Sequence, residues 1–202
     1  MAGGITRREF LKGTGGAIAG AALPAAAAQG AERAAAGTAQ GELADAGPRE
    51  ILLVVNGARR AVAVEPQITL AEVLRGPLEL TGTKIGCDRG SCSACTVWLD
   101  GVPALACMTL ALDVGARKVV TIEGLAEGEK LHPVQAAFIA RDAVQCGFCT
   151  PGLVMSCAAL LEQNRDPSLD EVKAALGGHL CRCGTIPHAL EAVLDAARAM
   201  KG

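Results

Sequence analysis

The chain has 202 residues, 50% of them hydrophobic and 20% charged, with a formal net charge of −2. That composition suits one or two small globular domains, and with no Lys/Arg stripe it excludes nucleic acid as an expected partner. One Trp, three Phe and no Tyr leave a core of Ala, Leu, Val and Ile and little surface for stacking a base or a flavin, whereas nine cysteines, none before Cys87, stand out.

The N-terminal "TRREFLKG" joins Arg7-Arg8 to Phe10, Leu11 and Lys12, and a weakly apolar Gly/Ala run follows to about residue 28, with Ala26 and Ala28 forming an A-x-A cleavage signature. This is the layout of a twin-arginine signal peptide over residues 1–28, too short and too weakly apolar for a membrane span. The bland alternative is a basic, Ala-rich tail. The segment carries Arg7, Arg8, Lys12 and Glu9, a net +2, so a chain without it stands near −4. The twin-arginine route exports proteins already folded, which suits a chain whose cofactor is inserted before transport.

Residues 29–49 are Ala, Gly and polar residues without apolar periodicity, a linker. Two apolar runs flanking Asn56-Gly57 predict a hairpin, and Thr69 to Arg75 has helical spacing of Leu70, Val73 and Leu74. A Gly- and Cys-rich loop spans Gly82 to Cys95. "CTVWLDGVPALAC" predicts a second hairpin turning at Asp100-Gly101, and "KVVTIEGL" a further strand. Residues 50–125 therefore read as a small α+β domain.

Residues 126–202 change character. His132-Pro133 opens a helical pattern reaching Ala143, Gly152 to Asn164 gives a second helix, and Ser168-x-x-Glu171 is a capping box for a third, closed by Gly177-Gly178. Pro187 to Met200 gives a fourth, with Leu190, Val193 and Leu194 inward. This half reads as all-α.

The cysteines carry the chemistry. Cys87, Cys92 and Cys95 have the spacing C-x4-C-x2-C, with Cys107 beyond, the plant-type [2Fe–2S] pattern. A flat two-iron cluster needs four thiolates converging from a wrapping loop, and Gly82, Gly86 and Gly90 let that loop turn and bring amides close. The far strand of the second hairpin is expected to deliver Cys107. In the helical half, "QCGFCTPG" supplies Cys146 and Cys149 and "CRCG" supplies Cys181 and Cys183. Both pairs fall at helix N-termini, where free N–H groups and the positive dipole end stabilise thiolates. Disulfides suit an exported protein, but they leave the C-x4-C-x2-C spacing unexplained, and Cys181 with Cys183 would close a strained ring. Zinc takes C-x2-C pairs, although C-x-C is unusual for it. Cys157, on the second helix, reads as a packed core thiol. His132, His179 and His188 lack second partners and read as caps or surface groups. No Ser/His/Asp set, nucleotide loop or carboxylate pair is visible, so no catalytic residue is expected on this chain.

"GCDRGSCSACTVWLDG", "TIEGL", "LHPVQAAF", "QCGFCTPG" and "CRCGT" occur in the order and at the spacings of a known family. Over about residues 50–200 the chain resembles the iron–sulfur subunits of molybdenum hydroxylases: xanthine dehydrogenases, aldehyde oxidoreductases and aerobic carbon monoxide dehydrogenases. The resemblance implies a ferredoxin-like β-grasp domain followed by a four-helix domain, each with one [2Fe–2S] cluster. It implies a large partner subunit holding a molybdenum–pterin cofactor, contacted by Gln145 and Cys183. Electrons would pass to the helical-domain cluster, then to the β-grasp cluster, then to a flavin subunit or a cytochrome. Exported aldehyde-oxidising relatives carry a twin-arginine signal on this subunit, so the twin-arginine machinery is expected to take the complex to the periplasm. Ser93 stands where Gly is frequent, Ile186 where Tyr is, and His188 where Arg is; none is an expected ligand. Two other functions compete: a free-standing two-cluster ferredoxin shuttle, and a zinc- or disulfide-stapled binding module.

Overall fold

The computed structural model describes residues 47–201, so the twin-arginine signal and nearly all of the expected linker lie outside the described residues. Strand β1 (Arg49–Val55) turns at Asn56-Gly57 into β2 (Ala58–Val64). Both turn residues have positive φ, 49° and 77°, which Asn-Gly adopts with little strain. The same device, Asp100-Gly101 at 50° and 81°, joins β3 (Thr96–Leu99) to β4 (Val102–Leu105). Between the hairpins, α1 (Leu70–Arg75) starts at a capping box in which Thr69 and Glu72 satisfy each other's backbone amides.

The expected strand "KVVTIEGL" is shorter than its apolar pattern: β5 is only Lys118–Val120, and Ile122–Gly124 is a 3-10 turn. A one-turn helix, α2 (Ala111–Val114), and a 3-10 turn at Ala106–Met108 are both too short to give periodicity in the sequence. The five strands form one mixed sheet in the order β2-β1-β5-β3-β4, with β1 and β5 parallel and the other pairs antiparallel. Alternate residues Leu53, Val55, Val62 and Val64 point to one face, where Leu70, Val73 and Leu74 of α1 complete a core. This is the expected β-grasp.

Four helices follow: α3 (Pro133–Ala140), α4 (Thr150–Gln163), α5 (Leu169–Leu176) and α6 (Ile186–Ala199). Helix α3 stops short of Ala143 because Arg141 leaves helical geometry and Asp142 adopts φ 50°. Phe138, Leu153, Met155, Leu161, Val172 and Val193 fill a second, separate core. Cys157 lies in it, fully buried, with its thiol pKa pushed up by burial, as expected of a core thiol.

The two cores are joined directly. Trp98 of β3 donates its indole N–H to the Met155 carbonyl at 2.8 Å and packs on the helical core. A β-carbon on Gly152 would stand 2.2 Å from the Ser93 carbonyl, so only glycine lets α4 approach the cysteine loop so closely.

Candidate metal centres

The loop of residues 86–95 is held open by backbone, not by helix or strand. Asp88, Gly90 and Ser93 all have positive φ, which curls the chain around the side of Cys87 and Cys92. The Ser91 N–H donates to Cys87 Sγ at 3.1 Å, the kind of amide-to-sulfur bond that a thiolate or bridging sulfide accepts. Cys107 does not sit on the far strand of the hairpin. It follows β4, in the 3-10 turn 106–108, because the Ala106 N–H bonds the Cys95 carbonyl at 3.2 Å and folds the chain back beside Cys95.

In the helical half, Cys149 is the N-cap of α4 and Thr185 the N-cap of α6, with Cys183 two residues earlier. The Thr185 hydroxyl lies 3.2 Å from Cys181 Sγ. The Phe148 backbone amide is the main influence on Cys146, holding its thiol below the usual range.

All nine cysteines are free thiols. Eight of them fall into interacting pairs: Cys87 with Cys92, Cys95 with Cys107, Cys146 with Cys183, and Cys149 with Cys181. Charge interactions then link pair to pair, Cys95 to Cys92 and Cys146 to Cys181, so the eight make two groups of four. Among the described residues no three His, Cys, Asp or Glu side chains are arranged to hold a single metal ion. Two pairs of thiols in each group suit a two-iron group, since each iron takes two.

Within each group the environments differ. Burial pushes Cys95 and Cys149 up to about 12. Cys87 falls to about 7, chiefly through the Arg89 amide. Burial raises Cys181, but the Thr185 hydroxyl and amide outweigh it and bring it to about 7. An amide contact with Cys146 lowers Cys183, while the Cys146 thiol and the Cys181 charge leave it raised overall. Each group thus pairs a readily ionised outer thiol with a desolvated inner one.

Gln145 and Cys183 line one open cleft with Asp142, Val144, Gly184, Thr185 and His188. Gln145 is exposed and caps nothing in this arrangement, and Arg182 is exposed too. His188 donates from Nδ1 to the Arg141 carbonyl at 3.0 Å, and Arg141 pairs with Glu191 and Asp195 of α6, fixing the cleft's rim. His132 caps α3, as expected. His179 is a departure: it is buried, with Nε2 2.8 Å from Ser156 Oγ, and burial pulls its pKa down to about 4. Nothing in "GGHLCRCG" marks that histidine as internal.

The segments that carry the two groups of thiols are hydrogen-bonded to each other. The Leu180 N–H donates to the Cys92 carbonyl at 3.2 Å, and Ser93 Oγ donates to the Gly178 carbonyl at 3.0 Å. The segment before Cys181 is therefore bonded to the segment of Cys92 and Ser93.

The profile of the 2Fe-2S iron-sulfur cluster binding domain matches residues 53–112, that of the [2Fe-2S] binding domain matches 121–194, and a twin-arginine translocation signal matches 4–24. The nicotine 6-hydroxylase small subunit of Paenarthrobacter nicotinovorans is 49% identical over 147 residues, 73% of this chain and 88% of that one. The aldehyde oxidoreductase iron-sulfur-binding subunit PaoA of Escherichia coli O157:H7 is 38% identical over 212 residues, 98% of this chain and 90% of its own. The chain belongs to the iron–sulfur subunits of the molybdenum hydroxylases. Among solved structures, quinoline 2-oxidoreductase from Pseudomonas putida 86 superposes with a TM-score of 0.73 at 40% identity, covering 76% of this chain and 96% of that one. The aldehyde oxidoreductase from Desulfovibrio desulfuricans ATCC 27774 gives 0.73 at 42%, covering 76% of this chain but only 17% of a much longer one. This iron–sulfur subunit thus has two [2Fe–2S]-binding domains, transfers electrons within a molybdenum-dependent oxidoreductase, and leaves the molybdenum–pterin cofactor to a partner subunit.

Proposed function

We propose that Cys87, Cys92, Cys95 and Cys107 hold one [2Fe–2S] group and that Cys146, Cys149, Cys181 and Cys183 hold the other. Gln145 and Cys183 face the molybdenum–pterin cofactor of the large subunit. The observation that carries this is their common cleft, which places an exposed amide beside a ligand thiol at an open edge. When bound, such a group takes up and releases single electrons. The chain's part is to hold the two groups close. The Leu180–Cys92 hydrogen bond supports transfer from the helical centre to the β-grasp centre, and onward to a flavin subunit or a cytochrome. On this reading residues 50–125 are the β-grasp domain and 126–202 the helical domain, after a signal at 1–28 and a linker at 29–49.

The matched signal supports export by the twin-arginine machinery to the periplasm, with the large subunit carried along, and among the described residues no helix is long and apolar enough to cross a membrane. The substrate, an aldehyde, a purine or an N-heterocycle, is bound by that large subunit. Aerobically purified complex should show broad visible absorption bleached by dithionite, and should retain the large subunit through purification. Gln145→Ala should slow reduction of the helical centre by substrate while leaving dithionite reduction unchanged; equal rates would remove Gln145 from the pterin contact. Deleting Arg7-Arg8 should keep both subunits out of the periplasmic fraction, and a large subunit still exported would refute joint export.

A further inference from the structure

Phe148 belongs by sequence to the helical centre and by position to the other one. Its backbone amide serves Cys146, one residue beyond its neighbour Gly147. Its ring reaches Gly86 in the loop of the β-grasp centre. A methyl group placed on Gly86 would stand 3.1 Å from Cys92 Sγ and 3.4 Å from Phe148 Cε1, so sulfur and ring flank the same small gap. The ring is 47% exposed, in a chain with only three Phe and one Trp, so it is not spent on either core.

The gap lies on the open side of the site. Cys95 and Cys107 are buried at 2% and 6% exposure, whereas Cys87 and Cys92 are only partly covered. We propose that Phe148 is a shield reaching across the domain junction, keeping water from the Cys92 side of the β-grasp centre and so setting its reduction potential. The physics is simple. Reduction adds negative charge to a centre already surrounded by thiolates, and water stabilises that charge. An apolar ring in place of water makes the reduced form less favourable and lowers the potential. Gly86 is small because the ring and the sulfur converge there, which ties two residues of different motifs into one device.

This rests on the ligand assignment proposed above, and the test separates the two. Redox titration of the intact complex, followed by electron paramagnetic resonance, is carried out on wild type, F148L, F148V and F148A, with iron and acid-labile sulfide measured for each. A Cys95→Ser variant, whose own signal shifts, labels the β-grasp centre. The expected result is a graded rise of the β-grasp midpoint from Leu to Val to Ala, with the helical midpoint unmoved although the mutation lies in its own loop. If F148A does not load, F148V carries the test. A β-grasp midpoint equal to wild type in the smallest loaded variant overturns the shield, as does a shift confined to the helical centre. Failure of the ligand assignment would look different: Cys95→Ser would leave both signals of the complex untouched.

Discussion

The two candidate centres use the same four-thiol chemistry and are assembled in opposite ways. In the β-grasp centre, Cys87, Cys92 and Cys95 share one loop, and a hairpin with its following turn returns Cys107 to Cys95. In the helical centre the pairs Cys146/Cys149 and Cys181/Cys183 are separated by α4 and α5, and only the packing of those helices brings Cys149 to Cys181. One site is local and the other is a product of its core. A local site tolerates loss of distant packing; a site made by packing does not.

The harshest way to break that comparison is Phe138→Ala. Phe138 is among the largest fully buried side chains and sits in the helical core, so its truncation costs about 3–5 kcal/mol. Iron per complex should fall by about half, with the helical-centre signal lost and the β-grasp signal kept. Equal loss of both signals would mean the two centres fold as one and the contrast is false. Next in size is Trp98→Phe, which keeps most of the ring and removes the bond to the Met155 carbonyl. The expected loss is about 1 kcal/mol in urea unfolding followed by circular dichroism. No change in midpoint would mean the two cores are held together by packing alone.

What was legible in the sequence follows the same division. The C-x4-C-x2-C loop, both Asn-Gly and Asp-Gly hairpins and the capping box of α5 are short-range patterns, and each appears where the residues put it. The helical centre was legible only as two pairs near helix starts; that Cys149 meets Cys181 is a tertiary fact. The apolar run "VPALAC" predicts a strand reaching Cys107, while the Ala106–Cys95 hydrogen bond that turns the chain leaves no mark in the sequence. His179 and Phe148 were missed for a related reason. Burial of the first and the cross-domain reach of the second depend on neighbours far along the chain.

The junction itself offers a finer test. Ser93 has φ 57°, a strained angle for a side chain, and its hydroxyl bonds the Gly178 carbonyl. Ser93→Ala keeps the strain and loses the bond, for a cost of about 1 kcal/mol. Ser93→Gly loses the bond and relieves strain worth about 1 kcal/mol, so it should lie near wild type. Chemical denaturation should therefore rank wild type and Ser93→Gly together above Ser93→Ala. The reverse order would show that the hydroxyl does not staple the two cysteine segments.

The smallest effect should be blind to the contrast between domains. Each half carries a capping box closed by a glutamate, Thr69/Glu72 on α1 and Ser168/Glu171 on α5. The Thr69 amide, then its hydroxyl, hold Glu72 below the usual carboxylate range, and the Ser168 hydroxyl, then its amide, do the same for Glu171. A carboxylate lowered in the folded state contributes stability that is fully present above its unfolded pKa, about 4.3 for Glu, and is lost as pH falls through the folded value. Glu72→Gln and Glu171→Gln keep a capping side chain without the charge. Each should lower the urea midpoint slightly at pH 7 and flatten its decline below about pH 4, so that variant and wild type converge in acid. The two variants should flatten it alike, because a cap is a property of one helix turn whichever centre lies beyond it. Acid limbs of unequal slope would show that the helical domain's packing reaches even its surface caps.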